Sequence, residues 1–364
     1  MTEYNKNNPF HAKILKRELL SQERSTKRTY HLTLDLTGSN LSYKPGDAVA
    51  IFPENPEEEV NALLNVLKLE GDEMVIDPRS GGTWKVRHFF QKKVNLLRIP
   101  TPLMTLSGDP LLQNDKMARL DFASQYDLID FFELFPFTPP LQELVSYLSP
   151  LLPRFYSIAS SPLIAPNCID LLIATFTYSH GNKVRQGLGS HFLTESAEIG
   201  HTAIPLYLHP TTHFTLPEEA HAPLIMVGPG TGVAPYRSFL WQRKILNSRG
   251  KNWLFFGERN RASDFYYQDE FEQFVEEKFL QLDLAFSRDQ EEKVYVQHLL
   301  SQKGALIWEW LQNGAYFYIC GDARRMSKDV LSTLNSLIEK EGGTNPIEYL
   351  KGLRQEKRLL LDVY

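Results

Sequence analysis

The spacing of hydrophobic positions changes twice along this chain. Over residues 30–36, Leu32, Leu34 and Leu36 alternate with polar positions, the two-residue period of a half-buried strand. A Pro45-Gly46 turn leads into a second strand over residues 47–52. The period then lengthens, and Val60, Leu63, Leu64 and Leu67 recur at helical spacing. Asn55 reads as the N-cap of that helix and Pro56 as its first residue, with Glu57, Glu58 and Glu59 favouring the positive end. To about residue 150 the chain stays helix-like, punctuated by prolines and rich in Phe, as at Phe131-Phe132. Strands return over 154–160, 169–178 and 203–209. With the opening strands they make about six short β segments, for which a small antiparallel barrel is the natural closure because it removes exposed edges.

Past a linker at Thr215-Leu216-Pro217 the texture becomes β-α-β-α. Apolar strands over 223–227, 252–256, 280–286 and 316–320 alternate with polar segments of helical potential, the first helix starting near Pro235. Such alternation predicts a doubly wound parallel sheet with helices on both faces. The expected organisation is a barrel from residues 1–53 and 151–216, a helical insertion over 54–150, and an α/β domain over 217–364.

Composition narrows the function. The net charge of −5 over 364 residues provides no basic field for nucleic acid. Two cysteines, Cys168 and Cys320, lie too far apart in sequence to suggest a disulfide scaffold, which points to a reducing cytoplasm. No apolar run reaches membrane-spanning length and the N-terminal stretch has no signal-like apolar core, so no membrane partner is expected. Ten histidines are scattered without a Cys-x-x-Cys companion, and no metal site is read from them.

Five segments carry candidate chemistry. Gly228-Pro229-Gly230-Thr231-Gly232, between a strand and a helix, would let backbone N–H groups approach a pyrophosphate; a ligand-free tight turn is the alternative. Ser287, Arg288, Lys293, Tyr295 and Gln297 follow the third apolar strand, where ligands of open α/β sheets sit. Together they could hold a ribose phosphate, or form a solvated charged loop. Glu258, after the second strand, stands near the place of a carboxylate that binds a ribose diol, so spacing alone leaves NAD open. Arg154-Phe155-Tyr156-Ser157 joins a cation, rings and a hydroxyl on one strand, though a plain barrel strand has the same look. Cys320 ends the last clear strand, where it is either a thiol beside a reacting ring or an inert small hydrophobe. The terminus Leu361-Asp362-Val363-Tyr364 is apolar and aromatic where chain ends usually fray, so Tyr364 is expected to pack against something.

In this order the segments RFYSIASS (154–161), IMVGPGTGVAP (225–235), SRDQEEKVYVQ (287–297), CGDARR (320–325) and the ending Asp362-Val363-Tyr364 resemble the ferredoxin–NADP reductase superfamily. They are most similar to its diflavin branch, to which the sulfite reductase flavoproteins belong, and Tyr43-Lys44-Pro45-Gly46-Asp47 extends the likeness over nearly the whole chain. The resemblance implies an FAD-binding antiparallel β-barrel with a helical insertion, then a parallel NADP-binding α/β domain, working as an NADPH-dependent FAD flavoprotein reductase. It implies that Arg154, Phe155, Tyr156 and Ser157 bind FAD, with Arg154 at the pyrophosphate. Leu172, Ile173 and Ala174 would line the flavin, Tyr178 would lie near the adenosine end, and Gly187, Leu188, Gly189 and Ser190 would hold the pyrophosphate. Gly230 and Thr231 would face the NADPH pyrophosphate and nicotinamide. Ser287, Arg288, Lys293, Tyr295, Gln297 and Asp329 would bind its adenosine phosphate end, which decides the Glu258 question for NADPH. Ser157, Cys320 and Asp362 would surround hydride transfer, and Tyr364 would cover the flavin ring. Diflavin members carry an N-terminal flavodoxin-like FMN domain. About ten residues precede the first barrel strand here, so that domain is expected to be absent from this chain and the acceptor to be a separate protein. That partner would be an FMN flavodoxin-like or a haem or iron–sulfur protein. The other readings are a stand-alone NADPH diaphorase and a non-catalytic flavin- or nucleotide-binding subunit.

Overall fold

The computed structural model describes residues 4–364. The chain forms two compact units: residues 4–11, Ala50–Arg154 and Thr175–Tyr207 in the first, and Ala12–Val49, Phe155–Ala174 and Leu208–Tyr364 in the second. One six-stranded sheet is built from β1 (Phe10–Leu19), β2 (Thr29–Asp35), β3 (Ala48–Ile51), β6 (Arg154–Ser157), β7 (Cys168–Ala174) and β10 (Ile204–His209), in the order β6-β3-β10-β1-β2-β7. Antiparallel pairing sets Tyr30, Leu32 and Leu34 of β2 opposite Ile173, Leu171 and Ile169 of β7, so the alternating leucines face the core. Two of the expected strands need correction. The strand at 154 is regular only to Ser157. The run 169–178 is broken after Ala174, where the chain starts a separate hairpin of β8 (Thr177–His180) and β9 (Lys183–Gln186). The hairpin turn holds Gly181 at a left-handed φ of +55°, and the break after Ala174 is concealed by the apolar alternation that continues through Phe176 and Tyr178.

The first unit is mainly helical. Between β3 and β6 come α1 (Glu57–Leu67), the short hairpin β4 (Met74–Ile76) and β5 (Thr83–Lys85), then α2 (Val86–Lys93), α3 (Thr101–Leu106), α4 (Pro110–Asn114), α5 (Lys116–Gln125), α6 (Leu128–Leu134) and α7 (Leu141–Tyr147). Val60, Leu63, Leu64 and Leu67 are buried as their spacing requires, against Phe89, Phe90, Phe131 and Phe132. Asn55 does not cap α1. Its amide donates instead to the carbonyls of Phe90 and Val94, both at 2.7 Å, and Pro56 takes the cap position. The buried carbonyls that close α2 need a donor, and Asn55 supplies both bonds. After β9 come α8 (Leu188–His191) and a single wide turn over Phe192–Ser196.

In the second unit lies a five-stranded parallel sheet of β11 (Leu224–Val227), β12 (Asn252–Glu258), β13 (Leu280–Phe286), β14 (Tyr316–Gly321) and β15 (Leu359–Val363), ordered β13-β12-β11-β14-β15. Buried on both faces, its strands send alternate side chains into two cores. Leu224, Met226, Leu254 and Phe256 meet α9 (Ala234–Ile245) and α11 (Gln268–Glu276) on one face. Ile225, Val227, Trp253 and Phe255 meet α12 (Val296–Gln302), α13 (Gly304–Gln312) and α14 (Met326–Gly342) on the other. The terminal run, expected to pack rather than fray, forms β15 at the edge of the sheet and pairs in parallel with β14. The short α10 (Arg261–Asp264) and α15 (Pro346–Gln355) complete the unit. Among the described residues no helix is long and apolar enough to cross a membrane.

Candidate functional site

The glycine turn emerges from β11 and passes over the end of β14. A Cβ on Gly232 would stand 2.2 Å from the Cys320 carbonyl oxygen, a backbone atom that cannot swing away, so only glycine allows this approach. The turn continues as a 3-10 segment over Gly230–Val233 and enters α9 with Pro235 in its first turn. Gly230 lines a cavity of about 580 Å³, and the same cavity is lined by Ser287, Arg288, Lys293, Tyr295, Gln297 and Asp329. Every residue assigned from sequence to the phosphorylated end of the nucleotide thus meets one space at the carboxyl ends of the strands.

The loop after β13 is tied down by groups other than its cations. The Ser287 N–H donates to the Glu258 carbonyl at 2.9 Å and its hydroxyl to the same oxygen at 3.2 Å. The Arg288 N–H donates to the Arg259 carbonyl, and the Asn260 amide donates to the Arg288 carbonyl and the Asp289 carboxylate. The Gln297 amide donates to Asp329 at 3.4 Å. The Arg288 and Lys293 side chains are exposed and have no ion-pair partner among the described residues. Around the cavity, Lys27, Arg259, Arg288, Lys293 and Arg325 outnumber Glu258, Asp322 and Asp329, leaving it positive. A cavity with a glycine turn, unpaired cations and an exposed Tyr295 ring fits a phosphorylated nucleotide.

A second group forms where β15 meets β14. Register sets Asp362 beside Cys320. The Ser157 hydroxyl donates to Asp362 Oδ2 at 2.7 Å, and the Cys320 thiol reaches the same oxygen at 3.7 Å. Burial pushes the Cys320 thiol well above its ordinary range, so it is a neutral donor at physiological pH. One residue beyond β15, Tyr364 is 63% exposed, and its hydroxyl lies 3.0 Å from that of Thr231 on the glycine turn. Its N–H donates to the Gly321 carbonyl and its carbonyl accepts from Ala323, so the terminus is fixed by backbone bonds.

The residues assigned to FAD are divided between the units. In the second, Phe155 is exposed with its ring 5.0 Å from that of His209, Tyr156 and Ser157 are half-buried, and Leu172, Ile173 and Ala174 close β7. In the first, Arg154 donates to the Leu152 carbonyl, and burial is the main cause that raises the Tyr178 phenol. There Gly187-Leu188-Gly189-Ser190 opens α8, with the Ser190 hydroxyl on the Gly187 carbonyl. A Cβ on Gly187 would fall 2.4 Å from the Phe176 ring, so only glycine lets that ring pack directly against the start of α8.

Sequence reasoning missed Lys27, which lies in the loop between β1 and β2 and lines the same cavity as Ser287, Arg288 and Lys293. The run Arg24-Ser25-Thr26-Lys27-Arg28 reads as a solvated basic loop, and no local pattern links it to a strand end more than 200 residues away.

The FAD binding domain family model matches residues 2–99 and 100–192, and the oxidoreductase NAD-binding domain model matches residues 226–332. The chain is 37% identical to the sulfite reductase [NADPH] flavoprotein alpha-component of Mannheimia succiniciproducens over 99% of its length and 62% of that relative. The proteins of the same name from Bacillus subtilis and Vibrio cholerae are each 38% identical over 99% of this chain and 62% and 60% of their own lengths. The chain therefore spans about three-fifths of these curated relatives. With an FAD binding match over more than half of its residues and an oxidoreductase NAD-binding domain match behind it, the chain belongs to the FAD binding domain family.

Proposed function

We propose that this chain is an NADPH-dependent flavoprotein reductase that loads electrons onto FAD and passes them to a separate protein acceptor, in the manner of a sulfite reductase flavoprotein. The observation that carries the reading is the meeting of the glycine turn with Ser287, Arg288, Lys293, Tyr295, Gln297 and Asp329 around one positive cavity. In the proposed organisation, residues 1–53 and 151–216 form the FAD barrel, 54–150 the insertion and 217–364 the NADP domain. When bound, NADPH and FAD supply the redox chemistry itself, transfer of a hydride from nicotinamide to flavin.

The chain's own groups bind, orient and balance charge. Arg288 and Lys293 are assigned to the adenosine phosphate, Gly230 and Thr231 to the pyrophosphate and nicotinamide side. Arg154 and residues 187–190 are assigned to the FAD pyrophosphate, Tyr178 to its adenosine end, and Phe155, Tyr156, Leu172, Ile173 and Ala174 to the flavin. Asp362 is assigned to stabilise positive charge that develops as a reduced nicotinamide loses hydride, and the Ser157 hydroxyl fixes the carboxylate that does so. Tyr364 is assigned to cover the flavin and to give way to nicotinamide. The acceptor is an FMN flavodoxin-like or a haem or iron–sulfur protein, and the compartment the cytoplasm.

The test is anaerobic titration of the purified chain with NADPH and, separately, NADH, following visible flavin absorbance. Stoichiometric bleaching by NADPH and weaker bleaching by NADH is the expected result. A protein that stays colourless after FAD is added, or yellow and untouched by either nucleotide, overturns the reading.

A further inference from the structure

The carboxylate of Glu258 closes β12 inside the nucleotide cavity, with 3% of its side chain exposed. A carboxylate at such a strand end has two consequences. Left free, it accepts hydrogen bonds from a ribose diol, and it repels a phosphate carried on that ribose. Here neither oxygen is free. The Lys27 ammonium forms an ion pair with Oε1, and the Arg259 N–H donates to Oε2 at 2.7 Å. Lys27 is itself held by its loop, since its N–H donates to the Ser25 hydroxyl at 3.0 Å and that hydroxyl donates to Asp264. The pair lies against the glycine turn, because a Cβ on Gly230 would stand 3.4 Å from Glu258 Oε1.

We infer that Lys27 is a specificity-determining positioning residue, which masks the Glu258 carboxylate so that the cavity selects a ribose phosphate over a ribose diol. The inference rests on the NADPH reading above. With Lys27 in place the pair contributes no net charge, and Arg288 and Lys293 face a phosphate unopposed. Without it, a buried carboxylate opposes those two cations and presents an acceptor for hydroxyls.

The test is calorimetric binding of adenosine 2′,5′-bisphosphate and of ADP to the purified full chain, with unfolding temperature recorded for each variant. Wild type is expected to bind the 2′-phosphate ligand more tightly. Lys27→Ala should lower that affinity by roughly tenfold while ADP binding holds or tightens, and Lys27→Arg should keep the wild-type ratio. Lys27→Ala with Glu258→Gln carries no stranded charge, so it should fold and regain the wild-type ratio even if the single variant does not fold. A wild-type chain without preference for the 2′-phosphate overturns the NADPH reading and this role together. A wild-type preference that survives intact in Lys27→Ala overturns the role of Lys27 alone. A double variant that folds but lacks the preference shows that Lys27 acts directly on the ligand, and that also overturns masking.

Discussion

Asp362 Oδ2 is a shared acceptor, taking a strong hydrogen bond from Ser157 and a long one from Cys320. The two donors differ in worth, because a thiol donates weakly and a hydroxyl to a carboxylate strongly. Ser157→Ala should therefore slow flavin reduction by NADPH by roughly tenfold or more, taking about 1.5–3 kcal/mol for a hydrogen bond to a charged group. Cys320→Ala should slow it less. Stopped-flow reduction checks the order, and affinity for adenosine 2′,5′-bisphosphate should stay unchanged in both variants. Equal rates in wild type and Ser157→Ala would remove Ser157 from the chemistry. These three residues were legible because each sits in a segment with a recognisable neighbourhood, such as the strand motif around Ser157 and the terminus around Asp362. Lys27 was not, since its meaning depends on a strand end more than 200 residues downstream.

At the scale of elements, the parallel sheet was readable because strands buried on both faces are short unbroken apolar runs, as in Leu224-Ile225-Met226-Val227. The terminal strand was harder to read, since Leu359–Val363 follows helix α15 without a turn signature and takes its place by pairing with β14. The hairpin of β8 and β9 was hidden by apolar alternation that runs on past the break. Glycines test this level directly. Gly232→Ala forces a methyl group against the Cys320 carbonyl, so either the turn or the end of β14 must move. Its expected cost is about 1–3 kcal/mol, the range for overpacking, together with weaker nucleotide binding. Gly352 lies within α15 and a Cβ there meets nothing within 4 Å. Gly352→Ala should instead stabilise by about 0.5–1 kcal/mol through helix propensity. Urea midpoints of the two variants should move in opposite directions. A Gly232→Ala midpoint at or above wild type would mean that the turn has slack the close approach does not show.

Stability of the whole molecule has a pH dependence traceable to His31. Its ring is buried on β2, with Nδ1 at 3.1 Å from the Tyr267 hydroxyl and Nε2 at 3.2 Å from that of Thr33. Burial is the first cause that lowers its pKa; Asp170, 3.5 Å away, opposes this, Arg237 and Lys16 reinforce it, and Glu18 opposes it weakly. A histidine with a lowered folded-state pKa binds its proton more readily in the unfolded chain. Stability from this residue is therefore complete above the unfolded value, about 6.5, and falls as the pH drops below it toward the folded value. His31→Gln keeps polar partners for Tyr267 and Thr33 but cannot titrate. Urea unfolding from pH 8 to pH 5 should show wild type losing stability below about pH 6.5 faster than His31→Gln does. Parallel curves would mean that the ring is protonated in the folded state as easily as in the unfolded one, with Asp170 supplying enough charge to offset burial. The slope thus decides whether desolvation or the neighbouring carboxylate governs this cluster, which also contains the Arg237 guanidinium, 3.0 Å from Asp170 and 2.8 Å from Glu270.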